Sequence, residues 1–262
     1  MHSEIADATL DKVKLFTVGF GRAGDETPVK GSGVLIKYGP LKGILTCAHV
    51  VDLLSKQKQP IGLVRFWREA NEQFGTLDLS EVVSYEFGEE PWTSETGDLA
   101  FLCLPPHLVG NVEKDGVFLD AEKNFAKAWP DDRSLIVVDA VFGLVQEFTG
   151  ETTRRGSTAT TRLRGVLTPG NLREANDHGV TLACFEENLA DLPSSFGGTS
   201  GGGLWRVHVR KRDDGVFEAV HHRLIGIASR EVLETPPLIK CQGLGPIKML
   251  LEDAVHQQRG TS

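Results

Sequence analysis

Short apolar runs separated by turn residues dominate this chain, and they constrain its fold more than any other feature. The runs are rich in Val, Ile, Leu and Phe, and clusters of Gly, Pro, Asn or Asp often bound them, which is typical of β-strands. The predicted strands are 13–20, 33–38, 43–48, 61–67, 82–87, 99–104, 135–144, 160–167, 180–185, 204–209, 216–228 and 238–242. Many short strands with turn signals between them predict an all-β protein built from sandwiches or barrels.

Helix signals are few, and they help to divide the chain. Pro246 precedes apolar residues that recur at helical spacing, so we predict a C-terminal helix of about three turns. The stretch 120–129 is a candidate for a shorter helix. The segment 109–133 contains Pro and Gly and separates two strand-rich halves. We therefore predict a first barrel over 13–108, a linker over 109–133, and a second barrel with the C-terminal helix over 134–258.

Length and charge exclude several classes of protein. The chain has 262 residues and a formal net charge of −8 at pH 7. A chain this long can bury a sizeable core without disulfides or metals. The acidic balance argues against binding to nucleic acid, which needs a surface that neutralises phosphates. No run approaches the roughly 18 apolar residues of a membrane-spanning helix, so we expect no membrane partner.

Cysteine usage predicts a compartment. The cysteines are Cys47, Cys103, Cys184 and Cys241, and no two of them form a Cys-x-x-Cys pair. We interpret them as free thiols in a reducing, cytoplasmic environment, with disulfides as the alternative. The first residues lack the basic and apolar regions of a secretory signal, which agrees with that location.

The sequence predicts no cofactor and no metal site. The segment 19–24 matches a dinucleotide-binding glycine pattern, but the loop after it has no helical period with which to hold a pyrophosphate. His208, His221 and His222 have no carboxylate or cysteine at a short ligand spacing. We interpret these histidines as solvent-facing strand residues.

Three segments place polar residues where catalytic chemistry needs them. His49 ends an apolar strand-like run, Asp98 enters another, and Ser200 lies in a glycine-rich loop that opens a strand. Each feature alone has an ordinary explanation as a surface histidine, a turn aspartate or a flexible loop. Together, in the order His, Asp, Ser, they predict a catalytic triad.

The chemistry of acyl transfer explains each residue type. A serine hydroxyl is a poor nucleophile until a base takes its proton, and we assign that role to His49. Asp98 would fix the imidazole tautomer and stabilise the imidazolium. A tetrahedral oxyanion needs backbone N–H donors that no side chain obstructs, so Gly198 and Ser200 are predicted to form an oxyanion hole.

These segments resemble the trypsin-like, chymotrypsin-fold serine peptidases, and the resemblance spans about residues 13–255. It is carried by Thr46-Cys47-Ala48-His49, Gly97-Asp98-Leu99-Ala100, Gly198-Thr199-Ser200-Gly201-Gly202 and Gly226-Ile227-Ala228-Ser229. The family has Thr-Ala-Ala-His, Asp-Ile-Ala-Leu, Gly-Asp-Ser-Gly-Gly and Gly-Ile-Val-Ser at these places. The resemblance implies two six-stranded antiparallel Greek-key β-barrels with the triad between them and a C-terminal α-helix packed on the second. It also implies a serine endopeptidase with a protein or peptide substrate.

Departures from the family pattern bear on regulation. Thr199 replaces the acidic residue that pairs with a new N-terminus in zymogen-activated relatives, and no activation site lies near the start. Val50 and Val51 follow His49, so the family's disulfide cannot form there. Both departures resemble bacterial stand-alone members. Because Thr199 removes one ordering interaction, we hypothesise that Gly198 is misdirected at rest and that an activating protein partner orders it.

The resemblance also implies where substrate binds. Ser194 would lie at the floor of the primary pocket, where a hydroxyl favours an uncharged substrate side chain. The hydroxyl of Ser229 would support Asp98, and its strand would pair with the substrate backbone. Arg230 and Glu231 come next, where they would narrow the pocket or bind a charged substrate.

The competing interpretation is a catalytically silent trypsin-fold module that binds a protein partner. The presence of all three triad residues and of the oxyanion glycine speaks against it. Reaction of Ser200 with a fluorophosphonate probe distinguishes the two, because a silent module forms no adduct.

Overall fold

The structure is a computed structural model, and it describes residues 3–22, 28–56, 60–67, 70–89, 97–150, 153–155, 158–161, 163–184 and 193–260. The described chain is mostly β, with two antiparallel sheets and a C-terminal helix, which confirms the predicted fold class. The predicted division into 13–108, 109–133 and 134–258 stays a prediction.

The first half of the chain forms one sheet. Its strands are β1 (Thr17–Gly21), β2 (Val29–Tyr38), β3 (Leu41–Thr46), β4 (Ile61–Trp67), β5 (Ala70–Leu77), β6 (Val83–Phe87), β7 (Leu99–Cys103) and β8 (Leu119–Asp120). The order in the sheet is β5-β4-β1-β2-β3-β7-β6, and the short β8 pairs in parallel with β2. The first sheet therefore has more strands than the six that the family resemblance implies.

The second half forms a closed barrel and a separate hairpin. The strands of this half are β9 (Ile136–Leu144), β10 (Thr153–Arg155), β11 (Thr158–Thr160), β12 (Gly165–Ala175), β13 (Gly179–Cys184), β14 (Gly203–Lys211), β15 (Phe217–Val232) and β16 (Leu238–Gln242). Six of them close in the order β12-β13-β16-β15-β14-β9, and β10 and β11 make a separate hairpin. Closure leaves no unpaired strand edge around this barrel.

Five α-helices accompany the sheets in the described part of the chain. They are α1 (Ser3–Val13), α2 (Ala48–Ser55), α3 (Pro106–Asp115), α4 (Ala121–Ala126) and α5 (Leu244–Gly260). None of them is both long enough and apolar enough to cross a membrane. The candidate helix within 120–129 is thus α4, and the C-terminal helix is longer than predicted.

The resemblance implied that the C-terminal helix packs on the second barrel, but the helix packs mainly on the first sheet. Its buried residues Ile247, Leu250, Leu251 and Ala254 recur at helical spacing and join the core of the first half. Most contacts of α5 are with β6 and β7. The last helix of the chain therefore covers the strands that flank Asp98.

Aromatic packing joins the two halves. Phe66 of β4 and Phe142 of β9 meet edge to face, with ring centroids 5.1 Å apart. Such pairs add about 0.5–1.5 kcal/mol beyond the area that they bury. Both rings belong to the larger of two buried apolar clusters, which also takes in Trp205 of the second barrel. The two sheets thus share one continuous core.

Candidate active site

His49 lies in the first turn of α2, directly after strand β3. The sequence predicted a strand here, but the chain turns into a helix at Ala48. Thr46, at the end of β3, pairs with Ala100 of the antiparallel strand β7. The chain that leaves β3 therefore runs beside the chain that enters β7, and this pairing brings His49 next to Asp98.

Two hydrogen bonds join His49 to Asp98. The His49 ring atom Nδ1 lies 2.7 Å from Asp98 Oδ2, and the His49 backbone N–H donates to Asp98 Oδ1 over 3.1 Å. The second bond satisfies one of the free N–H groups of the first helical turn. Asp98 is buried, with 3% of its surface exposed, whereas 35% of the His49 side chain is exposed. The buried carboxylate thus fixes the ring on one side, while the ring itself stays partly exposed.

Ser200 lies in the second of two consecutive tight turns. Thr199 N–H donates to Phe196 O over 3.0 Å, and Gly202 N–H donates to Thr199 O over 2.7 Å. The third residue of the first turn is Gly198, with φ +94°, and that of the second is Gly201, with φ +85°. Type II turns require positive φ at this position, which glycine adopts without strain. The glycines of the sequence motif are therefore needed for backbone shape.

Ser32 of β2 anchors the Ser200 loop to both sheets. Its backbone N–H donates to Ser200 O, and its hydroxyl donates to Gly198 O, each over 2.8 Å. The same hydroxyl accepts from Leu144 N–H over 2.8 Å. Thr199 donates from its own hydroxyl to Leu144 O over 3.1 Å. Neutral hydrogen bonds therefore anchor the loop.

The segments that carry His49 and Ser200 are in contact. Ala228 O accepts from the Cys47 thiol over 3.1 Å and from Gly201 N–H over 2.8 Å. A side chain at Gly201 would come within 2.2 Å of Thr46 Oγ1. In the described residues, however, the Ser200 hydroxyl makes no hydrogen bond, with His49 or with any other group. The structure therefore brings the two segments together without joining the two side chains.

Two backbone donors beside Ser200 are unused. Within the described part of the chain, neither Gly198 N–H nor Ser200 N–H donates to a protein acceptor. Gly198 O points elsewhere, because it accepts from the Ser32 hydroxyl. The loop thus keeps two N–H groups for an external acceptor.

The predicted pocket residues have partners that the sequence did not indicate. Ser194 donates from its backbone N–H and its hydroxyl to Glu147 Oε2, over 2.7 and 2.6 Å, and the bond from the hydroxyl lowers the pKa of Glu147. Glu231 Oε2 accepts from Ser195 Oγ over 3.3 Å and from Phe196 N–H over 3.1 Å. Two carboxylates therefore border the segment that was expected to form a neutral floor. No sequence motif marks Glu147, which lies far from Ser194 along the chain.

Ser229 does not support Asp98 in the way that the resemblance implies. Its hydroxyl donates to Lys240 O over 3.2 Å, and no hydrogen bond joins it to Asp98 among the described residues. The pairing of β15 with β16 shifts register between Ala228 and Arg230, which marks a bulge at Ser229. A bulge redirects the side chain of the extra residue. Arg230 is exposed on the same strand.

His208 also departs from its prediction. It is buried beneath Trp129, with ring centroids 5.8 Å apart, and only 5% of its surface is exposed. The interpretation as a solvent-facing residue was wrong because Trp129, which precedes β9 in the chain, covers this strand. Burial lowers the pKa of His208 and also that of His221, which contacts it edge to face.

Comparisons with known proteins give a likeness to solved structures alone. No protein-family model and no curated protein matches the chain. The chain is similar to a Glu endopeptidase in complex with MPD at 10% identity and a TM-score of 0.46, covering 97% of this chain and 93% of that one. It is similar to the MamO protease domain from Magnetospirillum magneticum at 14% identity and a TM-score of 0.40, covering 90% and 95%.

A third similar structure is a thermostable serine protease, AL20, from an extremophilic microorganism. Its identity is 10% and its TM-score 0.43, with 91% of this chain and 94% of that chain covered. Values this low carry no argument about activity. The functional case therefore rests on the geometry of this chain.

Proposed function

We propose that this chain is a serine endopeptidase that cleaves peptide bonds through Ser200, His49 and Asp98. The observation that carries the proposal is the 2.7 Å contact between His49 Nδ1 and the buried Asp98 carboxylate, on a segment in contact with the Ser200 loop. An Nδ1–H that donates to Asp98 leaves the lone pair of Nε2 free to act as a base.

The proposed reaction uses each group in turn. His49 Nε2 takes the Ser200 proton while Ser200 Oγ attacks the substrate carbonyl carbon. Gly198 N–H and Ser200 N–H donate to the oxyanion, each worth roughly 3 kcal/mol. The protonated His49 then gives its proton to the leaving amine, and an acyl-enzyme remains. A water molecule, deprotonated by His49, hydrolyses the ester and regenerates Ser200.

The proposal does not need a hydrogen bond between Ser200 and His49 before the reaction begins. Catalytic hydrogen bonds are often long or poorly aligned before substrate binds, and they shorten in the complex. The contacts of Ser32 and Thr199 favour a loop that is ordered in the chain alone.

A requirement for an activating partner stays a prediction, as does the cytoplasmic location. The purified chain tests the first directly. Rapid reaction of Ser200 with a fluorophosphonate in the absence of any other protein would overturn the partner hypothesis. Reaction only after a cell extract is added would support it.

Substrate preference is open to a separate test. The hydroxyl of Ser194 predicts an uncharged side chain at the cleavage position, but Glu147 and Glu231 add negative charge to that segment. A fluorogenic peptide library decides whether an uncharged or a positively charged side chain is preferred at the cleavage position. Preferential cleavage after Lys or Arg would overturn the neutral pocket.

The decisive experiment on function compares the wild type with Ser200→Ala in a proteome-wide search for new N-termini. The exposed Ser134, which bonds to Asp132 in a turn, provides the control Ser134→Ala. We expect new N-termini with the wild type and Ser134→Ala, and none with Ser200→Ala. Equal patterns for all three would favour the silent binding module.

A further inference from the structure

A sulfur, a nitrogen and an oxygen ligand lie close together at the candidate active site. Cys47 Sγ, a ring nitrogen of His49 and a carboxylate oxygen of Asp98 all lie within 4.8 Å of one another. In the described residues, this is the one cluster of three or more such side chains that close together. Thiolate, imidazole and carboxylate are the ligands that Zn²⁺ takes in proteins.

Cys47 is what distinguishes this cluster from an ordinary triad. The resembling family has alanine at this position, which offers no ligand. Here the sulfur is fully buried, beside the carboxylate, and its thiol donates to Ala228 O. The cysteine therefore adds a third ligand to a pair that is already hydrogen-bonded.

Asp98 has room for a further partner. Among the described residues, the carboxylate accepts two hydrogen bonds from His49 and lies close to the Cys47 thiol, whereas a carboxylate offers about four acceptor sites. A buried carboxylate is costly when it is weakly compensated, and a divalent cation compensates it strongly. Charge in the site thus favours a cation at the place where the three ligands converge.

The distances suit a small tetrahedral ion. Zinc bonds of about 2.3 Å to sulfur and about 2.0 Å to nitrogen or oxygen place the ligand atoms about 3.5 Å apart. The 2.7 Å separation of His49 Nδ1 and Asp98 Oδ2 has to widen by less than about 1 Å, and the sulfur already lies within 4.8 Å of a ring nitrogen and a carboxylate oxygen. Of the three ligands, the His49 side chain is the one with substantial exposure, so a metal ion would enter past this ring.

We propose that Cys47, His49 and Asp98 form an inhibitory site for Zn²⁺, with water as the fourth ligand. The regulatory part of the proposal rests on the peptidase function proposed above. On binding, the S–H bond breaks, an S–Zn bond forms and the thiol proton leaves to solvent. The Nδ1 proton moves through solvent to Nε2, so the imidazole stays neutral while Nδ1 binds the metal. His49 then has no lone pair with which to take the Ser200 proton.

A cobalt titration tests the site without using activity. Co²⁺ replaces Zn²⁺ in tetrahedral sites, and a bound thiolate gives a charge-transfer band in the near ultraviolet. We expect the band with the wild-type chain and with Ser200→Ala, and its loss with Cys47→Ala. Cys103→Ala is the matched control, because Cys103 lies at the far end of β7 and outside the cluster.

Each outcome is decisive. No band with the folded wild type, or a band that persists in Cys47→Ala, would overturn the metal site. Cys47→Ser replaces Cys47→Ala if circular dichroism shows that the alanine variant does not fold, since serine keeps the size but not the thiolate.

The inhibitory role has its own readout. The rate of Ser200 labelling by a fluorophosphonate is measured with and without Zn²⁺, and each variant is compared with its own metal-free rate. We expect at least about a tenfold loss for the wild type and no loss for Cys47→Ala at the same Zn²⁺ concentration. Failure of Ser200 to react without metal would count against the peptidase, while the cobalt band still tests the site.

Discussion

The first sheet positions its part of the site through a charged side chain, whereas the second barrel does so through backbone shape. His49 is held by two hydrogen bonds to one carboxylate, and its helix begins where that carboxylate lies. Ser200 is held by two turns with glycine at positive φ and by neutral bonds to Ser32. The position of His49 therefore depends on the charge of Asp98, which one substitution removes. The position of Ser200 depends on the space beside the loop glycines, which an added side-chain atom would fill.

The largest effect is expected from removing the charge in the first sheet. Asp98→Asn keeps the size of the side chain, but its amide can present an N–H donor to His49 Nδ1. The tautomer with the proton on Nδ1 is then no longer favoured. We expect Ser200 acylation to slow by roughly ten-thousandfold, with stability changed far less. The rate of fluorophosphonate labelling measures it. Asp52→Asn on the exposed side of α2 is the control, and an equal loss there would contradict the comparison.

The next largest effect is expected from filling space in the second barrel. A Cβ at Gly201 would lie 2.0 Å from Ser32 O at a φ of +85°. We expect Gly201→Ala to lower the free energy of unfolding by about 4 kcal/mol. Urea denaturation measures this loss.

Gly215 offers a matched control for the backbone conformation. It has the same φ of +85°, and nothing lies within 4 Å of its added Cβ. Gly215→Ala should lower the free energy of unfolding by only about 1 kcal/mol, because it adds backbone strain alone. Similar losses of stability at the two glycines would show that close packing at Gly201 is unimportant.

A smaller effect is expected where the two halves meet. Ser32→Ala leaves Leu144 N–H and Gly198 O without the hydroxyl that now joins them. Unpartnered buried groups cost about 1–3 kcal/mol, so we expect that loss of stability and roughly a tenfold slower labelling. Ser55→Ala, at the exposed end of α2, is the control. An unchanged labelling rate in Ser32→Ala would show that the hydrogen bonds of the Ser32 hydroxyl do not position the oxyanion donors.

The smallest effect concerns pH and belongs to the second barrel. Burial, with Lys12 and Lys127 nearby, lowers the pKa of His222 to about 4. The folded state favours the neutral His222 ring, which stacks on Phe16. The contribution of this ring to the free energy of unfolding is therefore complete above about pH 6.5 and is lost as pH falls towards 4.

Thermal unfolding between pH 7 and pH 4 measures this loss. We expect about 1–2 kcal/mol after allowance for partial exposure. His222→Phe should keep the stack and reduce the acid sensitivity by that amount, whereas the exposed His178→Gln should not. An unchanged profile in His222→Phe would contradict the role of burial.

Apolar periodicity predicted most strands because burial selects the same residue types. Strands β4 and β16 have the predicted bounds, and β6, β7 and β9 differ from them by one residue at one end. Helix α2 was missed because its apolar residues continue the run of β3, and periodicity cannot separate a buried strand from a short buried helix. Strand β5 was missed because its segment, Ala70–Leu77, contains few apolar residues.

Two further errors come from tertiary structure. Strand β12 begins at Gly165, later than predicted, and Pro169 lies inside it. At Pro169 the strand pairs with β9 alone, because its pairing with β13 begins at Gly170. The direction of the Ser229 hydroxyl depends on a bulge, which no local pattern reveals.

The candidate site was predictable to the extent that its residues sit in short motifs. His49, Asp98, Gly198 and Ser200 each lie in such a motif, and their assigned roles stay predictions. Ser32, Glu147 and the ligand role of Cys47 were not predicted, because each acts through a neighbour that is remote in sequence. Spatial partners of this kind need the pairing of the two sheets before they can be identified.

The most direct test of the account is whether the histidine of the first sheet activates the serine of the second barrel. The measurement is the rate at which a fluorophosphonate labels Ser200, mapped by mass spectrometry, in the wild type and in His49→Ala. The account predicts an adduct on Ser200 in the wild type and a rate at least about a thousandfold lower in His49→Ala. Equal rates in two folded proteins, or no adduct on Ser200 in the wild type, would contradict it.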